Sequence, residues 1–548
     1  MKIPRLFLHA LIAGTLVASL DCYSSGPVDT PTVTHPATLT PTRRLRRLSS
    51  REYDNVVRDL LGDTTRPAQA FVVDAYQNGY DNGSAGLAVQ SDQVASYQLA
   101  AEALAKDVVT RDLPRLLGGC AVDARGADAC VEAFLGTFAA RAYRRPLSST
   151  EQQRLRDAYH TDAAAGFARG VQTMLEVILQ SPQFLYREEL GPAAPHGGAP
   201  GATVQLTDYE IASELSFLLT GTVPDDALWS AVAEGRFTTD ADRRREANRL
   251  LATPGAKQAL RAFLHAWLGT DRVLGLSKDP TFYPAFDTTT AASMSAELDR
   301  TYDDLLAADD GSLRRLFTSN RAYVDAPLAA LYGVALPASD TGVVQEITLD
   351  PALRGGIMTR AGFLAVHADT DSSGPIARGV FVLQRIMCSP PPPPPANVPP
   401  AVPAGDPGVK TLTTRQRFDR HVSSPACAGC HTTIDGVGFG FEQFDGVGAF
   451  RSAENGQPVD SSGTLVGTGA LDGPYVGATA LGAKLAGSDV LTRCYVRQAY
   501  RYAMGQIEPT GVGLDALGVG FSADTKLTDL LVDLVTTPLF VNRTFEAP

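Results

Sequence analysis

The chain of 548 residues lacks any excess of positive charge: 48 Lys and Arg stand against 60 Asp and Glu, for a net charge of −12 and a pI near 5.2. Binding to a nucleic-acid backbone needs clustered cations, so no nucleic-acid partner is expected. The one dense basic run, Arg43 to Arg47, reads as the lead-in to a helix. Long apolar runs are missing after the first two dozen residues, which argues against a membrane-spanning helix there. No GxSxG, P-loop or HExxH string occurs, so the common hydrolase, nucleotide-binding and zinc-protease signatures are absent. What is present is an acidic chain with an ordinary hydrophobic fraction of 44%. It is too long for a single core, and three or more domains are expected.

The first residues have the pattern of an export signal. Lys2 and Arg5 precede an apolar run from Leu6 to Leu20, which is short for a bilayer span. Cys22 comes directly after it, where a bacterial lipoprotein would carry its lipid, although Asp21 stands where a small residue is expected. Lipidation at Cys22 and plain cleavage are the two outcomes, and any membrane attachment would be through this end. Residues 23–44 are rich in Ser, Thr and Pro and form a tether.

Helical grammar dominates the chain beyond the tether. Ser49 with Glu52, Ser148 with Glu151, and Thr207 with Glu210 each have capping-box spacing ahead of an apolar stripe. The first of these helices places Tyr53, Val56, Val57, Leu60 and Leu61 on one face and stops at Gly62. The stretches "MLEVILQSPQFLYREEL" and "ALRAFLHAWLG" read as further buried helices, and "SDVLTRCYVRQAYRYAMG" as a final one with Ser488 as cap and Gly505 as stop. Residues 453–487 are Gly-rich with short β-like pieces. The punctuation divides the chain into a signal peptide (1–22), a tether (23–44), helical modules at 45–115, 116–190 and 204–335, a haem-binding module with a polyproline strap at 350–452, and a C-terminal helical module at 453–548. Pro390 to Pro395 form a stiff extended spacer. The expected fold class is mainly α: multi-domain helical modules with a c-type cytochrome-like haem module near the C-terminus and minor β hairpins.

Seven cysteines sort by position. Apart from Cys22 and the pair Cys427 and Cys430, there remain Cys120, Cys130, Cys388 and Cys494. In an exported chain an even number suggests disulfides. Cys120 and Cys130 are close enough to staple one loop, which would leave Cys388 with Cys494, but four cysteines allow three pairings.

The segment "SPACAGCHTTIDGVGFGFEQFD" carries the chemistry. Cys427, Cys430 and His431 stand at i, i+3 and i+4, so one helical turn sets both sulfurs and the imidazole on one face. That is the arrangement for a single haem c held through two thioethers, with His431 ligating the iron. Ala428 and Gly429 between the cysteines are small enough to let the macrocycle approach. A zinc site would draw on His421, Cys427, Cys430 and His431, crowded into eleven residues where structural zinc usually takes two separated clusters. A bare disulfide leaves His431 unexplained. The sixth iron ligand is expected to be Met504, with Met358, His367 and His421 as competitors. Asp435, Glu442 and Asp445 lack the alternation of a calcium loop and read as turn caps. His160 and His265 read as ordinary helix residues.

Several long motifs occur in one order: "SREYDNVVRDLLGD", "FAARAYRRPLSSTE", "SPQFLYREEL", "LTDYEIASELSFLLTGTVPDDALW", "GPIARGVFVLQRIMCSPPPPPP" and "HVSSPACAGCHTTIDGVGFGFEQFDGVGAFR". In these the chain resembles the planctomycete-type cytochrome c proteins, a secreted five-module family of unknown function found in planctomycetes and myxobacteria. The resemblance runs from about Leu45 to the end. It implies haem c on Cys427, Cys430 and His431, and its last-module cysteine, here Cys494, agrees with pairing to Cys388. Four residues depart from the pattern: Ser50 where the first of two arginines is usual, Gly436 where Pro usually comes after Ile-Asp, Glu214 where Arg is usual, and Gly374 within the stretch before Arg378.

The functional expectation is an exported c-type haem protein that transfers single electrons in the periplasm or at the cell surface, with unidentified redox partner proteins. The other reading is a surface binding or scaffold protein, polysaccharide-related, in which the haem is auxiliary. Its basis is the run of some 380 residues ahead of the haem module with no evident redox group. No catalytic residue is assigned.

Overall fold

The structure, a computed structural model, describes residues 40–192, 199, 201–336, 344–393, 411–422, 425–509 and 514–545. The expected leader, Cys22, most of the tether and Pro394–Pro395 lie outside the described residues, as do the side chains of His421 and Cys427.

The fold is mainly α with small two-stranded sheets. In chain order the elements that position the site are β1 (Arg44–Arg47), α1 (Ser50–Leu61), α2 (Ser91–Leu116), α3 (Ser149–Asp162), α4 (Phe167–Gln180), β2 (Tyr186–Glu189), β3 (Thr203–Gln205), α5 (Asp208–Thr220), α6 (Pro254–Leu268), α7 (Thr288–Ala307), α8 (Pro375–Phe381), α9 (Pro425–Gly438), β4 (Ser462–Leu465), β5 (Gly473–Val476), α10 (Asp489–Met504) and β6 (Asn542–Thr544). Shorter helices connect them.

Local chemistry explains the helix starts. Ser49, Ser148 and Thr207 each accept from the backbone N–H three residues on, while Glu52, Glu151 and Glu210 reach back to the cap. Two donors at each helix start are thereby satisfied. Gly62 (φ 70°) and Gly221 (φ 68°) stop α1 and α5 in the left-handed region, which favours glycine. Ser488 sits ahead of α10, but its hydroxyl donates to the Leu485 carbonyl at 2.7 Å rather than capping the helix. Nor is α10 the last helix, since Leu527–Leu534 and Pro538–Val541 come after it.

Two apolar clusters form the interior. One gathers Leu48 through Leu185 with Phe217 and Val223; the other holds Tyr80 and the buried residues from Leu206 to Val541. Helix α5 belongs to both: Phe217 packs into the first and Leu215, Leu218 and Leu219 into the second. A helix buried on every side has no polar face to show, and in α5 Ser213, Glu214 and Ser216 are buried along with the apolar residues.

The sequence reading of "QFLYREEL" as helix is corrected at this point. After one helical turn at Pro182–Leu185 the chain becomes β2, which pairs antiparallel with β1, Arg44 opposite Glu189 and Arg46 opposite Arg187. The basic run is therefore a buried strand that precedes α1, and Arg44, counted with the tether from sequence, is already inside the fold. What stabilises it is opposite charge from distant segments. Glu189 receives Arg44 at 3.3 Å, Arg46 at 3.2 Å and Arg543 of β6 at 2.6 Å. Burial alone would raise the Glu189 carboxyl, but Arg44, Arg543, Arg46 and Arg187 hold it well below the usual carboxylate range. Glu214 pairs with Arg46 and, at 3.7 Å, with Arg187. The departure noted at Glu214 thus supplies a buried counter-charge.

Both expected disulfides are present. Cys120 bonds Cys130 and Cys388 bonds Cys494, with Cα separations of 5.4 and 5.3 Å. The second fastens the chain after α8 to α10.

Candidate haem site

Helix α9 carries Cys427, Cys430 and His431 at i, i+3 and i+4 of one element. Its C-terminal half is clamped. A Cβ on Gly438 would lie 2.0 Å from the Pro375 carbonyl of α8, and one on Gly436 would lie 2.4 Å from the Thr464 carbonyl of β4. From the other side, a Cβ on Gly379 of α8 would meet the Ile434 carbonyl at 2.4 Å. Tyr475 of β5 donates to the carbonyls of Gly436 and Val437 at 3.0 and 2.9 Å. Glycine at 436 is thereby explained: a side chain there would push β4 away. Gly374, another departure, has φ 62°, and its Cβ would meet the Asp369 nitrogen at 2.9 Å.

The half that bears the motif is open. Gly429 and Thr432 are exposed, Ala428, Cys430 and His431 half-buried, and a Cβ on Gly429 would meet nothing within 4 Å among the described residues. Cys430 carries a free thiol. His431 Nδ1 lies 3.1 Å from Oδ1 of Asp435, one turn further along α9. Asp435 is buried. Its other oxygen, Oδ2, has no hydrogen-bond partner among the described residues. Burial raises the Asp435 carboxyl and the bond to His431 opposes that rise. A metal-ligating imidazole that gives its second nitrogen to a carboxylate is fixed in tautomer and ring orientation, and presents Nε2 to the metal. These residues fit a c-type haem: an accessible thiol, open space at the intervening glycine, and an oriented imidazole.

Asp435 was missed as a partner of His431 and read as a turn cap. Its i, i+4 spacing from a candidate ligand was the available signal. Asp445 does cap a turn, accepting from Val447 and Ala449 at 3.0 and 2.8 Å. Glu442 is buried against Arg451 at 3.0 Å and Ser373 at 2.8 Å.

Cys430, His431 and Asp435 are brought together; Met504, Met358 and His367 stand on other elements, and the side chain of His421 lies outside the described residues. Met504 ends α10 next to β1: its carbonyl accepts from Arg44, and the adjoining Gly505 packs on Arg46 and Asn82. Met358 is buried against Gly482. His367 is buried, with Nε2 2.9 Å from the Leu268 carbonyl and its ring stacked 3.7 Å from Phe381. Among the described residues no group of three or more His, Cys, Asp and Glu is arranged to hold a metal ion.

Fold and site together define a class: a mainly α chain of packed helical modules with one Cys-x-x-Cys-His helix. Four family profiles match it: PSD3, protein of unknown function (DUF1587), over residues 46–110; PSD5 (DUF1595) over 130–189; PSD4 (DUF1592) over 206–334; and PSCyt3 (DUF1588) over 354–454, the stretch that contains α9. The chain belongs to the planctomycete cytochrome-type module family. No curated protein and no solved structure matches it.

Proposed function

We propose that the protein is an exported c-type haem protein that passes single electrons between partner proteins outside the cytoplasm. The observation that carries this reading is α9, where a free thiol, open space and a carboxylate-oriented imidazole share one helical turn within the segment matched by the cytochrome-type profile. Cys427 and Cys430 would hold the haem through thioethers and His431 would ligate its iron. Bound there, the haem supplies a one-electron carrier whose potential depends on axial ligation, hydrogen bonding and burial. The chain's own part is to fix the ring of His431 through Asp435 and to hold α9 in place through α8, β4 and Tyr475. Two disulfides support an oxidising compartment, and no described helix is long and apolar enough to cross a membrane. Met504 is the proposed sixth ligand; it ends α10, the helix that the Cys388–Cys494 bond fastens to the chain after α8.

The test is the visible spectrum of full-length protein made in a host with haem c maturation. A covalent haem band that survives acid–acetone extraction, and is lost in Cys427→Ser with Cys430→Ser, is the expected result. Absence of the band from the wild-type protein sinks the reading.

A further inference from the structure

Two adjoining cavities form a groove where the first and third helical modules meet α8, the segment after it and α10. One, of about 550 Å³, lies between α1, the segment after it, α6 and α7; the other, of about 530 Å³, continues toward the end of α8 and α10. Tyr76, Ala266 and Asp271 line both, so the two adjoin at these residues. Each is of the size of a small-ligand site.

The lining is rich in charge and nearly neutral. The two cavities carry four aspartates and four arginines between them. Most of these are already paired: Arg51 with Asp81 at 3.0 Å, Asp74 with Arg47 at 2.6 Å, and Arg501 with Glu508 at 2.6 Å. His265 is held at both nitrogens, by Thr270 at 2.9 Å and Asp299 at 2.8 Å. An anion entering the groove would face Asp271 and a cation would face Arg272, its neighbour. Paired planar groups of this kind still offer lone pairs and N–H bonds, along with the amides of Asn78 and Gln384. They therefore suit a ligand with many hydroxyls and no net charge. Apolar surface stands beside them: the Tyr76 ring is 56% exposed where the cavities join, and Val73 and Leu274 on the rim are 86% and 66% exposed. A pyranose ring has such a face of C–H groups bordered by hydroxyls.

We infer that this groove binds a neutral oligosaccharide, stacked on Tyr76 and hydrogen-bonded by the groove's carboxylates, guanidinium groups and amides. The site is separate from α9 and the inference does not rest on the haem reading. It concerns binding, with no reaction assigned.

The experiment is calorimetric titration of the full-length holoprotein with cellohexaose, xylohexaose, mannohexaose and laminarihexaose, with hexalysine and hexaglutamate as charged probes. At least one saccharide binds, Tyr76→Ala weakens it about tenfold, as expected for loss of one aromatic contact, and Asn78→Ala weakens it further. Both substitutions are on exposed or half-exposed positions and leave the haem band unchanged. The inference is overturned if none of the four saccharides binds the wild-type protein, if binding survives both substitutions unchanged, or if a charged peptide binds more tightly than every saccharide. A missing haem band with saccharide binding intact would count against the haem proposal alone.

Discussion

His431 Nδ1 and Asp435 Oδ1 are 3.1 Å apart on one helix, with the carboxylate buried beneath the imidazole. A negative partner makes an axial imidazole a stronger donor and favours the oxidised metal. Asp435→Asn keeps the shape and a hydrogen-bonding group while removing the charge. Haem attachment is expected to persist and the midpoint potential to rise, a tenfold lost preference for the oxidised state being worth about 59 mV. A redox titration that shows no rise would reduce Asp435 to a structural residue.

The two halves of α9 predict opposite responses to the same added methyl. Gly438→Ala and Gly436→Ala place a Cβ against the Pro375 and Thr464 carbonyls, and each is expected to cost about 1–3 kcal/mol through backbone displacement. Gly429→Ala meets open space and gains up to about 1 kcal/mol of helix propensity. Denaturant midpoints of the three variants decide the matter, and a destabilised Gly429→Ala would contradict the open face.

Acid sensitivity should come in part from His367. Burial lowers its pKa to about 3, Arg272, Arg378 and Arg385 add to that, and the Leu268 carbonyl works the other way. The folded protein therefore refuses a proton that the unfolded chain accepts near 6.5. Stability from this group is full above 6.5 and is lost as pH falls toward 3, by about 2 kcal/mol at pH 5. In His367→Phe, which keeps a ring for Phe381 to stack on, the fall in denaturation midpoint between pH 7 and pH 5 should be shallower.

The two disulfides differ in what they constrain. Cys388 and Cys494 are 106 residues apart and Cys120 and Cys130 only 10. Chain-entropy arguments give about 5 and about 3 kcal/mol respectively. Paired Cys→Ser variants measured under oxidising conditions should rank in that order.

How far these features were legible in sequence depends on how local they are. Each capping box joins residues three apart, and the three that end in Glu were readable, while a fourth, Thr239 with Asp242, was not read. The strand character of Arg44–Arg47 was not. Its partner strand lies more than 130 residues on, and its buried arginines make sense only once Glu189, Glu214 and Asp74 are set against them. Taken in isolation, five residues with four arginines signal exposure, whereas here distant carboxylates cancel the charge inside the core. The Cys-x-x-Cys-His string was legible because its residues are neighbours on one helix. Its orienting carboxylate lay in plain sight four residues on, and the groove at Tyr76 left no signal because segments from three matched families and the C-terminal helix meet there.

The bond between Cys388 and Cys494 also makes a covalent ring of the chain that includes all of α9. A single proteolytic cut between those two cysteines opens the ring without releasing either piece. The N-terminal modules and the segment that holds α9 would then travel as one species until a reductant is added, so nicked protein would keep its size in non-reducing electrophoresis.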